Sequence, residues 1–248
     1  MALVDELIAT LAPSLTIPAD VDKDSVFRGL MAIQEPQNFS PEFYNKQDCY
    51  LQDRLRNKGV VGLEELSPIS EHLYLWQGDI TTLKVDGIVN AANSQLLGCF
   101  IPNHSCIDNA IHSQAGLQLR MACADLMTEQ GKLEPTGQAK ITPAYNLPSR
   151  YVLHTVGPII QNQPTLEQMK ELASCYQSCL ELAIEKGLTS LAFCCISTGE
   201  FHFPNELAAK IAVKTIKDFC NKDSDLKIVF NVFKDEDWEI YSRLLSKP

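Results

Sequence analysis

From residue 73 onward the chain alternates between short apolar runs and longer stretches with apolar positions three or four apart. Leu73 to Gln77 and the run through Ile88 and Val89 are strand-sized. Each ends in glycine, acid or asparagine, so both read as buried strands with polar groups at their carboxyl ends. Ile107 opens a helix with Ile111, Ala115, Leu119 and Ala122 on one face. Thr165 to Gln168 forms a capping box for a helix that runs to Lys186, with Gly187 closing it. Leu188 to Ile196 then reads as a strand buried on both faces. A helix from Asn205 to Asn221, a strand from Leu226 to Phe233 and a helix from Asp235 to Ser246 follow, the last with Trp238, Tyr241 and Leu244 or Leu245 inward. Such alternation predicts an α/β sandwich with a central mixed sheet.

Residues 1–70 have a different pattern. Ala2 to Ala12 carries Leu3, Leu7 and Leu11, Asp24 to Gln34 is a second amphipathic segment, and Ser40-Pro41 is an N-cap followed by proline at N1. That third helix is expected to reach Lys58, with Gly59 ending it. The prediction is a helical N-terminal extension over 1–70 and a main domain over 71–248. The extension either packs on the main domain and buries a sheet edge, or offers a docking surface for a partner protein.

Composition narrows the picture. A 248-residue chain can bury about 70% of its unfolded surface. With 45% hydrophobic and 21% charged residues it falls in the range of soluble globular domains. The net charge of −10 argues against general nucleic-acid binding, which relies on clustered Lys and Arg. The apolar runs are too short for a membrane span, and Met1 to Glu6 lacks a basic flank and long apolar core, so a cytoplasmic protein is expected. Nine cysteines, an odd number spread over helices and strands, fit reduced thiols. Cys123, Cys175, Cys179, Cys194, Cys195 and Cys220 read as small core residues.

The polar ends of the strands carry the chemistry, because open α/β sheets bind ligands there. Gln77-Gly78-Asp79-Ile80-Thr81 follows the first strand and Asn90-Ala91-Ala92-Asn93 the second. Next comes a loop with Cys99, His104 and Cys106, then Ile107-Asp108-Asn109-Ala110-Ile111-His112 and Ala115-Gly116. Read alone, the Cys-x4-His-x-Cys cluster is either two buried thiols beside a surface histidine or three donors for one ion. Thiolate and imidazole together suit tetrahedral zinc. Ser197-Thr198-Gly199 between a strand and a helix offers hydroxyls and backbone N–H groups to a diphosphate.

Together these stretches resemble the macrodomains, an ADP-ribose-binding family with a three-layer α/β/α fold. The resemblance runs from about Leu73 to the C-terminus, and within it Thr136 to Thr142, Tyr145 to Pro148 and Tyr151 to Pro158 resemble two more of the family's strands and their ends. Most relatives have several glycines between the positions of Asn93 and Asp108. This chain has Gly98 alone and then the inserted Cys-x4-His-x-Cys, which is similar to the zinc-containing branch found in bacteria and fungi and associated with removing ADP-ribose from proteins.

The resemblance implies adenine on Asp79 and the backbone of Ile80, and diphosphate on Ser197, Thr198, Gly199, Glu200 and Phe201 together with the amides of Cys106 and Ile107. It places the distal ribose beside Asn93 and Asp108, the two residues expected to act in catalysis, with Phe201 packed against it. Zn²⁺ is the implied cofactor, on Cys99, His104 and Cys106. Three ligands leave a position open, as catalytic zinc sites do. The implied activity is zinc-dependent hydrolysis that frees mono-ADP-ribose from modified side chains. A non-catalytic ADP-ribose reader with zinc as a brace, and an O-acyl-ADP-ribose deacylase, use the same pocket. The implied substrate is an ADP-ribosylated protein, and the family context suggests a lipoyl-carrier protein modified by a sirtuin-type transferase. Neither nucleic acid nor membrane is an expected partner. His112 and His154 read as structural, and His202 as an exposed loop residue rather than a stray metal ligand.

Overall fold

The computed structural model describes residues 2–220 and 225–246. Its first three helices are α1 (Leu3–Leu11), α2 (Lys23–Ile33) and α3 (Pro41–Lys58). Local chemistry fixes their ends. The Asp22 carboxylate accepts from the amides of Asp24 and Ser25, Ser40 Oγ accepts from the Phe43 amide, and Gly59 takes φ +90° after α3. Leu7, Ile8, Phe27, Met31, Phe43 and Leu51 close a small core with Leu117 from the main domain. The extension therefore seats on the helices that follow the loop carrying Cys99, His104 and Cys106, and its contacts run there more than to an edge strand.

The chain continues through β1 (Val61–Gly62), β2 (Pro68–Ser70), β3 (Leu73–Gln77), β4 (Leu83–Lys84) and β5 (Gly87–Ala91). Then come α4 (Ile107–Ala115), α5 (Leu117–Gln130), β6 (Ala139–Pro143), β7 (Tyr151–Thr155) and α6 (Leu166–Glu185). The last elements are β8 (Ser190–Phe193), α7 (Asn205–Cys220), β9 (Lys227–Val232) and α8 (Asp235–Leu245). The main sheet has the order β2-β3-β9-β8-β5-β7-β6. Its five inner strands are mutually parallel, and β2 and β6 add antiparallel edges, so the sheet is mixed as expected. β1 and β4, unannounced by the sequence pattern, pair as a separate two-stranded ribbon.

Strand alternation divides the helices between two faces. Val89 pairs with Phe193 and Phe193 with Phe230; Tyr176 of α6 packs on Phe193 and Tyr241 of α8 on Phe230. Asn90 pairs with His154 and points the other way, toward Asp108 of α4 and Cys123 of α5. The result is a three-layer α/β/α sandwich.

Three expectations need correction. The helix begun at Ile107 is two helices, because Gly116 takes φ +98°, outside the helical region, between α4 and α5. The strand predicted over 188–196 pairs only through Ser190–Phe193, since neither neighbour's register extends further. Trp238 is 39% exposed; α8 turns Asp237, Ile240, Tyr241 and Leu245 inward instead. Asn221, the expected end of the α7 helix, lies outside the described residues. All nine cysteines are free, with Cys195 and Cys220 half-buried rather than core. No helix among the described residues is long and apolar enough to cross a membrane.

Candidate active site

The carboxyl ends of β3, β5, β8 and β9 open on one side of the sheet, and the predicted residues gather there. Asn90 at the end of β5 is fully buried, and its Nδ2 donates to Asp108 Oδ1 at 2.8 Å. Asn93, three residues on, donates to the Gly98 carbonyl at 3.0 Å, with its Nδ2 3.5 Å from Asp108 Oδ2. Asp108 is held from the first turn of α4 with 5% exposure and, among the described residues, no cationic side chain bonded to it. Burial pushes its carboxyl up to about 6, against the opposing pull of the Asn90 hydrogen bond and the Arg120 charge. Across α4, His112 is buried with Nε2 3.6 Å from Asp108 Oδ1, too far for a hydrogen bond. Burial, the neighbouring His154 and Arg120 hold His112 well below the usual imidazole range, so it is neutral.

Between Asn93 and α4 the loop turns tightly. Gly98, its one glycine, has φ +82°, and a Cβ there would meet the His112 ring at 2.8 Å. Backbone strain and close approach both require glycine at this position. Beyond it Cys99, His104 and Cys106 converge, with all three ligand atoms within 4.8 Å of one another. Cys99 Sγ lies 3.6 Å from His104 Nδ1. Cys106 is the N-cap of α4, its sulfur accepting from the Asn109 amide at 3.4 Å. Burial, then the Cys99 thiol and Asp108, push the Cys106 thiol up to about 12. Two thiols and one imidazole in this arrangement fit a tetrahedral zinc with one position left.

The loop after β8 faces this cluster. Ser197 has φ +65° and is 5% exposed; Gly157 lies so close that a Cβ on it would fall 1.9 Å from Ser197 Oγ. Thr198 Oγ1 donates to the Cys195 carbonyl, and so braces the loop rather than offering its hydrogen to a ligand. Gly199 has open space around it, and the half-buried Phe201 packs on the core while its carbonyl accepts from the Ile160 amide at 2.8 Å. Glu200 reaches across, Oε1 lying 3.5 Å from His104 Nε2. A carboxylate on that nitrogen would leave Nδ1, the atom facing Cys99, free to bind a metal. His202 is exposed and outside the cluster, as expected.

Asp79 ends β3 and caps the short turn Ile80–Thr82. Its Oδ1 accepts from the Thr81 amide and hydroxyl, and Oδ2 pairs with Lys58 of α3. Burial raises its pKa, yet Lys58 and Thr81 outweigh that and hold the carboxyl below its ordinary value. The Ile80 side chain is buried, which leaves its backbone for recognition.

A Macro domain family model matches residues 89–212. A protein-ADP-ribose hydrolase of Treponema medium is 55% identical over 236 residues, covering 93% of this chain and 90% of that protein. The chain belongs to the macrodomain family. A second protein-ADP-ribose hydrolase, from Staphylococcus aureus strain MRSA252, is 48% identical over 225 residues, covering 90% and 84%. Among solved structures, a Trypanosoma brucei macrodomain in complex with ADP-ribose superimposes with TM-score 0.69 at 31% identity, covering 87% of this chain and 94% of that one. An Oceanobacillus iheyensis macrodomain with ADP gives TM-score 0.65 at 40% identity, covering 73% and 93%.

This macrodomain also presents residues that sequence reasoning passed over. Phe233, expected to finish the last strand, stands 75% exposed just beyond β9, where its carbonyl accepts from Gln77 of β3. Its ring is exposed one residue beyond Val232, whose carbonyl accepts from the Gly78 amide, and an exposed aromatic face suits a purine ring. Asn90 lay inside the motif quoted for the family, but a buried asparagine carries no sequence signal of the aspartate it holds. Arg28 and Asn109 were missed because their partnership spans 81 residues.

Proposed function

We propose that this macrodomain is a zinc-dependent hydrolase that frees mono-ADP-ribose from modified protein side chains. The observation that carries the reading is the convergence of Cys99, His104 and Cys106 with Asn93 and Asp108 at one end of the cleft. The names of the relatives support hydrolysis, and the ADP-ribose-bound neighbour supports the ligand.

In this reading Asp79 and Phe233 hold adenine, and the loop from Ser197 to Phe201 takes the diphosphate together with the first amides of α4 at Cys106 and Ile107. The dipole of α4 favours negative charge there. Asn93 orients the distal ribose, and Phe201 lies against it. Cys99, His104 and Cys106 would hold zinc, which when bound supplies Lewis-acid polarisation at the distal ribose. Asp108 accepts the proton of the attacking water as the bond between the anomeric carbon and the side chain breaks, and the leaving side chain keeps the bonding pair. Asn90 keeps that carboxylate aimed. A lipoyl-carrier protein modified by a sirtuin-type transferase is the first substrate to try.

Asp108→Asn tests the assignment. Release of ADP-ribose from a mono-ADP-ribosylated protein should fall about 10²- to 10⁴-fold, with ADP-ribose binding changed only a few-fold. Hydrolysis at the wild-type rate would remove Asp108 from the chemistry. A wild type that binds ADP-ribose and releases none from any linkage would make the protein a reader. Release only from O-acyl-ADP-ribose would make it a deacylase.

A further inference from the structure

Helix α2 of the N-terminal extension has two stripes. Phe27 and Met31 enter the small core, whereas Ser25, Arg28, Gly29 and Ala32, spaced three and four apart, face the main domain. Glycine inside a helix costs about 0.5–1 kcal/mol relative to alanine. Its place here follows from close approach: a Cβ on Gly29 would stand 3.2 Å from Asn103 Nδ2 and 3.5 Å from Pro102 Cβ, both in the metal loop. Asn103 Nδ2 in turn donates to the Ser25 carbonyl at 3.1 Å.

Arg28 binds the loop at its ligands. One guanidinium nitrogen donates to the His104 carbonyl and to Asn109 Oδ1, each at 2.9 Å. Asn109 is 1% exposed, and it passes the constraint on: its amide donates to Cys106 Sγ at 3.4 Å and its Nδ2 to the Ile101 carbonyl at 3.0 Å. Arg28 is therefore bonded directly to the backbone of one ligand residue, and it holds the side chain of Asn109, whose backbone N–H binds the second ligand, Cys106. Arg120 of α5 secures the arrangement from behind. It donates to the carbonyls of Met31, Ala32 and Gln34 at the end of α2 and to that of Leu97 at the start of the loop, and stacks on Phe100 at 4.5 Å. At the carboxyl end of α2 the space left between Ala32, Cys99 and Asn109 is about 10 Å³, room for one water, whereas a cavity of about 280 Å³ opens beside Ser25, Arg28 and Asn103.

We infer that the N-terminal extension is the outer half of the metal site, with Arg28 the positioning residue that fixes the loop for metal binding. The inference rests on the zinc reading above. It assigns to residues 23–33 a role in metal retention that a merely packed appendage would not have, since removing outer-shell partners of metal ligands lowers affinity about 10- to 100-fold.

The test uses the zinc-loaded full chain and a chromogenic chelator. Zinc loss is compared for wild type, Arg28→Met, Arg28→Lys and Phe27→Leu, alongside the thermal midpoint of each zinc-free protein. Arg28→Met should lose zinc about tenfold faster, and Arg28→Lys should recover part of the difference. Phe27→Leu, which loosens α2 without touching the loop, should lower the midpoint more and zinc retention less. Wild-type retention in Arg28→Met, or retention that simply follows the midpoint across the three variants, overturns the inference. A wild type that takes up no zinc would instead sink the metal reading itself, and the inference with it.

Discussion

At the scale of single residues, burial keeps the two histidines behind Asp108 neutral. His154 is fully buried, with Nδ1 3.2 Å from Asn90 Nδ2 and Nε2 2.9 Å from Thr142 Oγ1. Asn90 donates to Asp108 as well, so His154 accepts at Nδ1 and carries its hydrogen on Nε2, facing the threonine. Burial pushes its pKa down to about 3. An unfolded histidine takes a proton near pH 6.5, so between about pH 6.5 and 3 the unfolded chain binds a proton the folded one refuses. Stability is full above that window and falls with pH through it, by about 1.4 kcal/mol per unit at most from this residue. His112 acts in the same direction. Replacing His154 with Gln removes the term: urea unfolding at pH 7 and pH 5 should show the gap between wild type and His154→Gln narrowing by about 2 kcal/mol. A gap that does not change with pH would mean that His154 takes up its proton in the fold at the same pH as in the unfolded chain.

At the scale of elements, two loops make the pocket and each is shaped by one close approach. Gly98 lets the metal loop ride over His112, and Gly157 lets Ser197 sit where a methyl group would be. In Gly157→Ala the new Cβ would meet Ser197 Oγ at 1.9 Å and Ile196 Cγ2 at 2.9 Å, so the side chains of the loop after β8 must move. Overpacking of this kind costs about 1–3 kcal/mol. ADP-ribose affinity, measured calorimetrically, should drop by about tenfold, a loss of 1.4 kcal/mol in binding; unchanged affinity would place the diphosphate elsewhere. Most elements were legible because their signals are local. The capping box at Thr165, the Ser40-Pro41 start and the Leu73 to Gln77 run all fall where the pattern put them. The break at Gly116 was hidden because apolar spacing continues across it, and the shortness of β8 because strand ends are set by the neighbours' register.

At the scale of the whole molecule, the alternation of runs from residue 73 was enough to give the layered sheet, and the motifs at strand ends fall with Asp79, Asn93 and the loop after β8 at the carboxyl ends of parallel strands. What stayed hidden is long-range. Nothing local in α2 announces that Arg28 meets His104 and Asn109, or that Lys58 at the end of α3 pairs with Asp79 at the opposite end of the cleft. The extension thus reaches both ends of the proposed ADP-ribose site, one through an ion pair and the other through the metal loop. The central claim is that zinc on Cys99, His104 and Cys106 belongs to the chemistry. The most direct measurement follows ADP-ribose release from a mono-ADP-ribosylated protein by the zinc-loaded chain, the chelator-stripped chain and the stripped chain refilled with zinc, with ADP-ribose binding and folding measured on all three. Stripping is expected to abolish release while binding and fold persist, and refilling to restore it. Full release by a stripped, folded protein would contradict that claim.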